Sequence, residues 1–354
     1  MQKEIESVGL TVQSSNRAGV FFEGSQDKVI QFVRKSRFSS KVSLQLFYGK
    51  CSSADDLYRI AKNLDWETFL KERISFRIDS VTKDSLANSQ FALLKTKDAI
   101  LDRFREKKIP LPEISKRNAD VSILLRSHND HCSIEVSLTG EPLGRRKYRV
   151  DPGVAPIRET LAQAVLSFSN RSLLLLDPFC GVGTLCIEEA LVQKRELGLN
   201  DDVLSQSIVF QKLFPTWKIS QDNSPPSSPM IFGWDRDTNQ IHKARMHSKE
   251  ADVEDWIAWE ERDFVESGFD FKEPIRVVTN PPYGIRTDES LGRESFFQLG
   301  KYAKNLPSGS ELTVITGNSA LLGKLKLKAS DTLSIKNSNL KAKIAHYEIK
   351  RPNT

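Results

Sequence analysis

The sequence predicts an α/β protein in which smaller α+β modules lead into a doubly wound sheet that closes with an antiparallel hairpin. Three observations predict it. Leu173–Asp177 is an uninterrupted apolar strand, the kind buried in the middle of a parallel sheet. Beyond it, buried strands alternate with helices. Before residue 140, short strands and helices follow one another with short connections, an α/β sandwich pattern.

The elements follow in order. Residues 1–50 read as a helix carrying Ile5, Val8 and Leu10, a strand at Gly19–Gly24, a helix around Val29–Arg34 and a strand at Val42–Tyr48. Residues 51–140 repeat the style, with a helix near Ala54–Lys62, a strand at Ser75–Ser80 and a long amphipathic stretch at Gln90–Lys107. Val121–Arg126 and Cys132–Leu138 alternate as strands around the polar turn Ser127–His131. Turn chemistry accounts for His128 and His131 there, against the alternative of a metal site with Cys132.

Residues 141–158 differ in kind. Three prolines and two glycines interrupt five basic side chains and one tyrosine, the composition of a linker or hinge. Its arginines and tyrosine suit phosphate clamping and base stacking, and a solvated linker is the alternative. From 159 to 354 the pattern is a helix at Glu159–Phe168, the strand Leu173–Asp177, a helix at Thr184–Lys194, and strands at Met230–Trp234, Trp256–Trp259, Ile275–Thr279 and Glu311–Thr316. Thr332–Ile335 and Ala342–Ile349, joined by Asn337-Ser338-Asn339, read as the closing hairpin, and Ser220–Pro229 as an irregular loop.

Composition bounds the function. With 354 residues, 39% hydrophobic and 28% charged, the chain can bury a core and is neither a disordered tail nor a fibrous repeat. No apolar run approaches the roughly 20 residues that span a bilayer, and the opening Met-Gln-Lys-Glu-Ile-Glu lacks a signal-peptide pattern, so no membrane association and a cytoplasmic location are expected. Cys51, Cys132, Cys180 and Cys186 show none of the short paired spacings of zinc sites or disulfide frameworks, so reduced thiols and no metal are expected. The net charge of +6 is uneven: residues 1–150 hold 27 Lys+Arg against 19 Asp+Glu, and the rest 25 against 27. The first part therefore suits a polyanion, with a solvated surface as the alternative.

Chemistry gathers at the strand ends. Asp177-Pro178-Phe179-Cys180-Gly181-Val182-Gly183-Thr184 lies where a buried strand becomes a helix, so glycines let a ligand approach and the helix start offers N–H groups. That loop fits a dinucleotide, a nucleotide, S-adenosylmethionine (SAM) or a tight turn without a ligand. Asp235 ends the next strand, where a carboxylate accepts hydrogen bonds from ribose hydroxyls. Asp263 and Phe264 follow the strand after it and suit an adenine amino group and its ring. Asn280-Pro281-Pro282-Tyr283-Gly284 is the sharpest signal. Its prolines stiffen the backbone and remove donors, leaving the Asn280 side-chain oxygen and the Pro281 carbonyl to accept from one planar amino group while Tyr283 offers an aromatic face. The alternative is a rigid loop that ends a strand. A nucleobase held there must be unstacked or flipped out. Trp256 and Trp259 are expected to pack on the sheet, and His242 and His247 to lie at the surface of a charged helix.

These segments, with Gly233-Trp234-Asp235-Arg236-Asp237, resemble the motifs of SAM-dependent methyltransferases acting on amino nitrogens of nucleic-acid bases. Residues 135–149, ending Arg145-Arg146-Lys147-Tyr148-Arg149, and Ala155-Pro156-Ile157-Arg158-Glu159-Thr160-Leu161-Ala162 are similar to the junction of THUMP-domain RNA (guanine-N2)-methyltransferases. Resemblance is greatest to the bacterial 23S ribosomal RNA type and covers nearly the whole chain. It implies a Rossmann-like class I methyltransferase domain at 159–354, preceded by a ferredoxin-like region at 1–50, a THUMP RNA-binding domain at 51–140 and a basic linker at 141–158. It implies SAM as cofactor, structured RNA as partner, and Pro156, Ile157 and Arg158 as cofactor contacts. Arg145, Arg146, Lys147, Tyr148 and Arg149 are expected on RNA.

Two departures bear on RNA docking. Arg146-Lys147-Tyr148-Arg149 stands where the common form has Arg-Gly-Tyr-Arg, and the first strand of the leading module is expected to be truncated. The catalytic loop reads an amino group and not a polymer, so transfer RNA and adenine N6 in DNA are alternatives, with the THUMP-like part arguing against DNA. A non-catalytic RNA-binding assembly factor is the third reading, opposed by the intact Asn280, Gly181 and Gly183.

Overall fold

Among the described residues, seven strands precede residue 140: β1 (Thr11–Asn16), β2 (Gly19–Glu23), β3 (Ser43–Lys50), β4 (Ser75–Thr82), β5 (Glu113–Ile114), β6 (Val121–His128) and β7 (His131–Ser137). The computed structural model describes all residues but 17–18, 87, 145, 147, 151–156, 197, 229, 265–270, 284–288, 338–339 and 351–354. It divides into two compact units, Met1–Leu143 with Asn200–Ser220, and Gly144–Leu199 with Gln221–Thr354.

In the first unit, β3-β7-β6-β4-β5 form one sheet, backed by the helices Ala54–Asn63 and Ser89–Glu106. Asn129 and Asp130 both take positive φ (51° and 54°), which lets two residues join β6 to β7 as the polar turn predicts. His128 Nδ1 meets Asp84 Oδ2 at 3.1 Å and His131 Nδ1 meets the Asn129 carbonyl at 2.9 Å, so both rings are engaged in the turn. β1 and β2 form a separate two-stranded ribbon. The sequence reading missed β1 because Val12 is its one aliphatic residue and the strand is largely exposed, so no alternation marks it. Asn200–Ser220 interrupts the second unit in sequence yet packs with the first. Asn200 donates to the carbonyls of Val33 and Ser36, and Asp201 pairs with Arg34 at 2.9 Å.

The second unit carries β8 (Leu174–Asp177), β9 (Ile231–Asp235), β10 (Ile257–Glu261), β11 (Ile275–Thr279), β12 (Glu311–Thr316), β13 (Asp331–Asn337) and β14 (Leu340–Glu348) in the order β10-β9-β8-β11-β12-β14-β13. The first five run parallel and the last two return as the antiparallel hairpin. The residues between β13 and β14, 338–339, lie outside the described ones. Strand period two deals successive apolar residues to opposite faces. Leu175, Val278, Ile315 and Ile344 join one core with the helices Glu159–Leu166, Thr184–Lys194 and Thr238–Glu250. Leu176, Val277, Val314 and Ala345 join the other with the helix Glu289–Asn305. Burial on both faces is why these strands read as nearly continuous apolar runs.

One charged cluster lies inside this apolar frame. Arg276 on β11 and Glu189 on the helix Thr184–Lys194 are both fully buried and pair at 2.8 Å, while Arg276 also donates to the Leu173 carbonyl and Ser169 Oγ. Burial pushes the Glu189 carboxyl up, but the Arg276 and then the Arg171 guanidinium outweigh it and hold the group below the usual carboxylate range.

Candidate active site

The strand order sets the carboxyl ends of β10, β9, β8 and β11 side by side. Chain direction reverses its lateral progress between β8 and β11, and at such a switch point the loops diverge and leave a crevice. All four strand-end groups predicted from sequence therefore come to one edge of one sheet.

The loop after β8 is shaped by its glycines. Gly181 (φ 52°) and Gly183 (φ 84°) adopt left-handed backbone, which lets the chain turn sharply into the helix Thr184–Lys194. A side chain on Gly181 would meet nothing within 4 Å, so this part of the loop faces open space. Gly183 is different: a Cβ there would lie 2.6 Å from the Trp259 ring, and Gly233 on β9 abuts the same ring. Trp259 thus packs against the sheet through two glycines, as expected, and its Nε1 donates to Ser248 Oγ at 3.2 Å.

Carboxylates tie the loops together. Asp235, at the end of β9, accepts from the Gly181 N–H at 2.9 Å and from the Asp237 N–H at 3.0 Å. Burial raises its pKa above the ordinary carboxylate value. Asp177, at the end of β8, accepts from Thr279 Oγ1 at 2.6 Å and from the Phe179 N–H at 3.2 Å. Thr279 immediately precedes Asn280, so this bond links the glycine loop to the Asn-Pro-Pro-Tyr loop. Burial pushes Asp177 up to about 7, against the hydrogen bonds from Thr279 and Phe179.

That shift has a testable sign. The folded protein holds the Asp177 proton above the ordinary aspartate pKa of about 3.9, so the stability this group contributes is present below about pH 4 and is lost as pH rises to about 7. Asp177→Asn keeps an acceptor for Thr279 and removes the charge. It is expected to melt near the wild type at pH 4 and above it at pH 8, and an equal gap at both pH values in thermal unfolding would refute the assignment.

Phe264, beyond β10, is buried and meets Phe179 edge to face at 5.3 Å and Tyr302 at 5.3 Å. Asp263 is half-buried beside it. After β11, Pro281 is buried, and Asn280, Pro282 and Tyr283 are half-buried; Gly284 lies outside the described residues. Two further glycines meet this loop. A Cβ on Gly292 would lie 3.2 Å from the Pro282 carbonyl oxygen, and one on Gly317 would lie 2.8 Å from the Tyr283 ring.

The linker requires correction. Arg145, Lys147 and Pro156 lie outside the described residues. Arg146 instead clamps the buried Glu188 carboxylate at 2.9 and 3.0 Å, and Tyr148, only 4% exposed, donates to Glu188 at 3.2 Å. Arg149 pairs with Glu159 at 3.1 Å and donates to the Ile157 carbonyl and Thr184 Oγ1. These three side chains are internal straps of the second unit, and the Tyr148 ring has no open face for a base. Ile157 is half-buried and Arg158 exposed. His247 is also corrected: it is fully buried, with Nδ1 3.2 Å from the Val182 carbonyl of the glycine loop, while His242 is exposed as expected.

Sequence reasoning passed over Thr279, Gly292, Gly317, Glu188, Glu189 and Arg276. A signal existed for the charged ones, since Glu188-Glu189 and Arg276 sit in otherwise apolar runs where a charge must be paired.

Among the described residues no three His, Cys, Asp or Glu gather as a metal site, and no helix is long and apolar enough to cross a membrane. The four cysteines are buried and free.

A parallel sheet in this order, with a hairpin at its edge, a glycine loop after its first strand and a proline loop after its fourth, has the class I methyltransferase fold. The chain belongs to the RMKL-like methyltransferase-domain family UPF0020, which matches residues 146–346; residues 51–137 match the THUMP domain. It is similar to Ribosomal RNA large subunit methyltransferase K/L of Shewanella amazonensis, at 30% identity over 371 residues covering 100% of this chain and 52% of that protein. The chain thus spans about half the length of the curated relatives it matches. Among solved structures it resembles TrmN from Thermus thermophilus (TM-score 0.73, 20% identity, 98% of this chain and 96% of that one). It also resembles SMU.472, described as a methyltransferase and complexed with SAH (TM-score 0.78, 23% identity, 99% and 95%).

Proposed function

We propose that the chain transfers the methyl group of SAM to the exocyclic N2 amino group of a guanine in 23S ribosomal RNA, acting in the cytoplasm. The observation that carries this reading is the alignment of four adjacent strand ends, from Asp263 through Asp235 and the Gly181–Gly183 loop to Asn280-Pro281-Pro282-Tyr283. The name of the Shewanella relative and the SAH in SMU.472 support the substrate and the cofactor.

The residues present fit SAM. Gly181 leaves room where a Cβ would meet nothing, the helix beginning at Thr184 presents N–H groups to a carboxylate, and the half-buried Asp235 suits ribose hydroxyls. Asp177, Pro178, Phe179, Gly183, Ile157 and Arg158 complete the proposed cofactor set, with Asp263 and Phe264 at the adenine. When bound, SAM supplies an electrophilic methyl on a sulfonium.

The chain does the rest by positioning. Asn280 Oδ1 and the Pro281 carbonyl accept the two N–H bonds of the amino group and turn its lone pair out of conjugation with the ring. Pro282 stiffens the loop and Tyr283 supports the unstacked base. We assign RNA binding to the first unit, with its THUMP domain, and structural straps to Arg146, Tyr148 and Arg149.

Mass-spectrometric mapping of N2-methylguanosine in cells with and without the gene tests the proposal. One site in 23S ribosomal RNA is expected to disappear. Loss of a transfer RNA site instead would overturn the substrate, and no change in any RNA would overturn the activity.

A further inference from the structure

We infer that Gly317 and Gly292 are positioning residues that seat Tyr283 and Pro282 from two sides and so set the platform on which the target base rests. The inference rests on the proposed methyl transfer, and it concerns two residues outside every recognised segment of the site.

Neither glycine has positive φ, so a left-handed backbone is not what requires glycine at either position. Space is what they supply. The Tyr283 ring occupies the space a side chain on Gly317 would need: a Cβ there would sit 2.8 Å from Cε2, 3.3 Å from Cζ and 3.4 Å from Cδ2. The wall behind the ring is stiff, because Thr316 Oγ1 accepts from the Asn318 N–H at 3.1 Å and Asn318 Oδ1 accepts from the Ala320 N–H at 3.2 Å. An added methyl at 317 therefore displaces the ring rather than the wall. On the backbone side, Gly292, in the first turn of the helix Glu289–Asn305, is buried and lets that helix approach the Pro282 carbonyl and the Tyr283 α-carbon, at 3.2 and 3.4 Å from its virtual Cβ. Close packing leaves the loop one position, and the reacting amino group inherits it.

A double-mutant cycle tests this. Gly317→Ala is expected to keep SAM affinity, measured by calorimetry, and to lower single-turnover methylation of ribosomal RNA by about 10–100-fold, the range for roughly 1 Å misplacement. In a Tyr283→Ala background the same change is expected to cost about twofold or less, because the ring it displaces is gone. Gly292→Ala, a tighter fit rather than an overlap, is expected to act more weakly and carries the same cycle if Gly317→Ala fails to bind SAM. A readout independent of methylation is fluorine NMR of protein labelled with 3-fluorotyrosine, the Tyr283 signal being identified by its loss in Tyr283→Phe. That signal is expected to move in Gly317→Ala. An unmoved signal, or equal rate losses in both backgrounds, would overturn the inference; a wild type that binds SAM and methylates no RNA would overturn the proposed function and leave the NMR result to decide the seat.

Discussion

Asn280→Ala is expected to lower the rate of methyl transfer by about 10²–10³-fold, the usual cost of removing one preorganised polar group, while SAM binding stays at the wild-type level. The exocyclic amine is a weak nucleophile because its lone pair is delocalised into the base. Asn280 follows Thr279, whose hydroxyl is bonded to the buried Asp177, and precedes the buried Pro281, so its backbone is fixed on both sides. Such a fixed acceptor requires no reorganisation at the moment of reaction. Alanine leaves the Pro281 carbonyl as the sole acceptor of the pair, and the lone pair is no longer held out of the ring plane. Asn280→Asp retains side-chain oxygens and is expected to fall between the two. Radiolabelled methyl transfer to ribosomal RNA under single-turnover conditions, with calorimetry for SAM, separates chemistry from cofactor binding. A wild-type rate in the alanine variant would remove Asn280 from the mechanism.

Arg276→Met is expected to destabilise the second unit by about 3–5 kcal/mol, since it leaves the fully buried Glu189 without its nearest cation. Arg171 remains 3.3 Å from Glu189, but it is a partly exposed group and cannot replace a guanidinium inside the core. The loss is caused by the stranded carboxylate and not by missing attraction alone. Replacing both members by apolar residues, Arg276→Met with Glu189→Leu, is therefore expected to recover much of the stability. Urea unfolding followed by tryptophan fluorescence measures all three variants, and a double variant less stable than either single one would contradict this account. The pair also joins β11, which leads into Asn280, to the helix that begins at the glycine loop. Stability and site geometry thus share one connection.

Much of the second unit was legible in the sequence because its signals are local. Each strand of the parallel sheet is an apolar run buried on both faces, and each strand-end group lies within a few residues of such a run. Thr184–Lys194, Ile275–Thr279 and Glu311–Thr316 were found with the observed bounds. The helix Glu289–Asn305 went unread because Gly292 and Gly300 weaken its local signal. Gly300 is there for the close approach of the Leu325 backbone, a contact that no local pattern announces.

Charge in the linker was the harder matter. Arg146, Tyr148 and Arg149 have the composition of a nucleic-acid clamp, yet their partners are Glu188, Glu159 and Thr184. A cation reads as exposed until its counter-charge is located, and here Glu188 stands 42 residues from Arg146 along the chain. The same reason hid His247, whose carbonyl partner belongs to another element.

By itself, then, the sequence determined the alternation of strands and helices, the basic character of the first 150 residues and the four groups at successive strand ends, because hydrophobic period and turn chemistry act between near neighbours. Only the tertiary structure decided which charges are internal, which glycines exist for space, and that Asp177 and Thr279 bind the two loops together, because those properties depend on contacts between residues far apart in the chain.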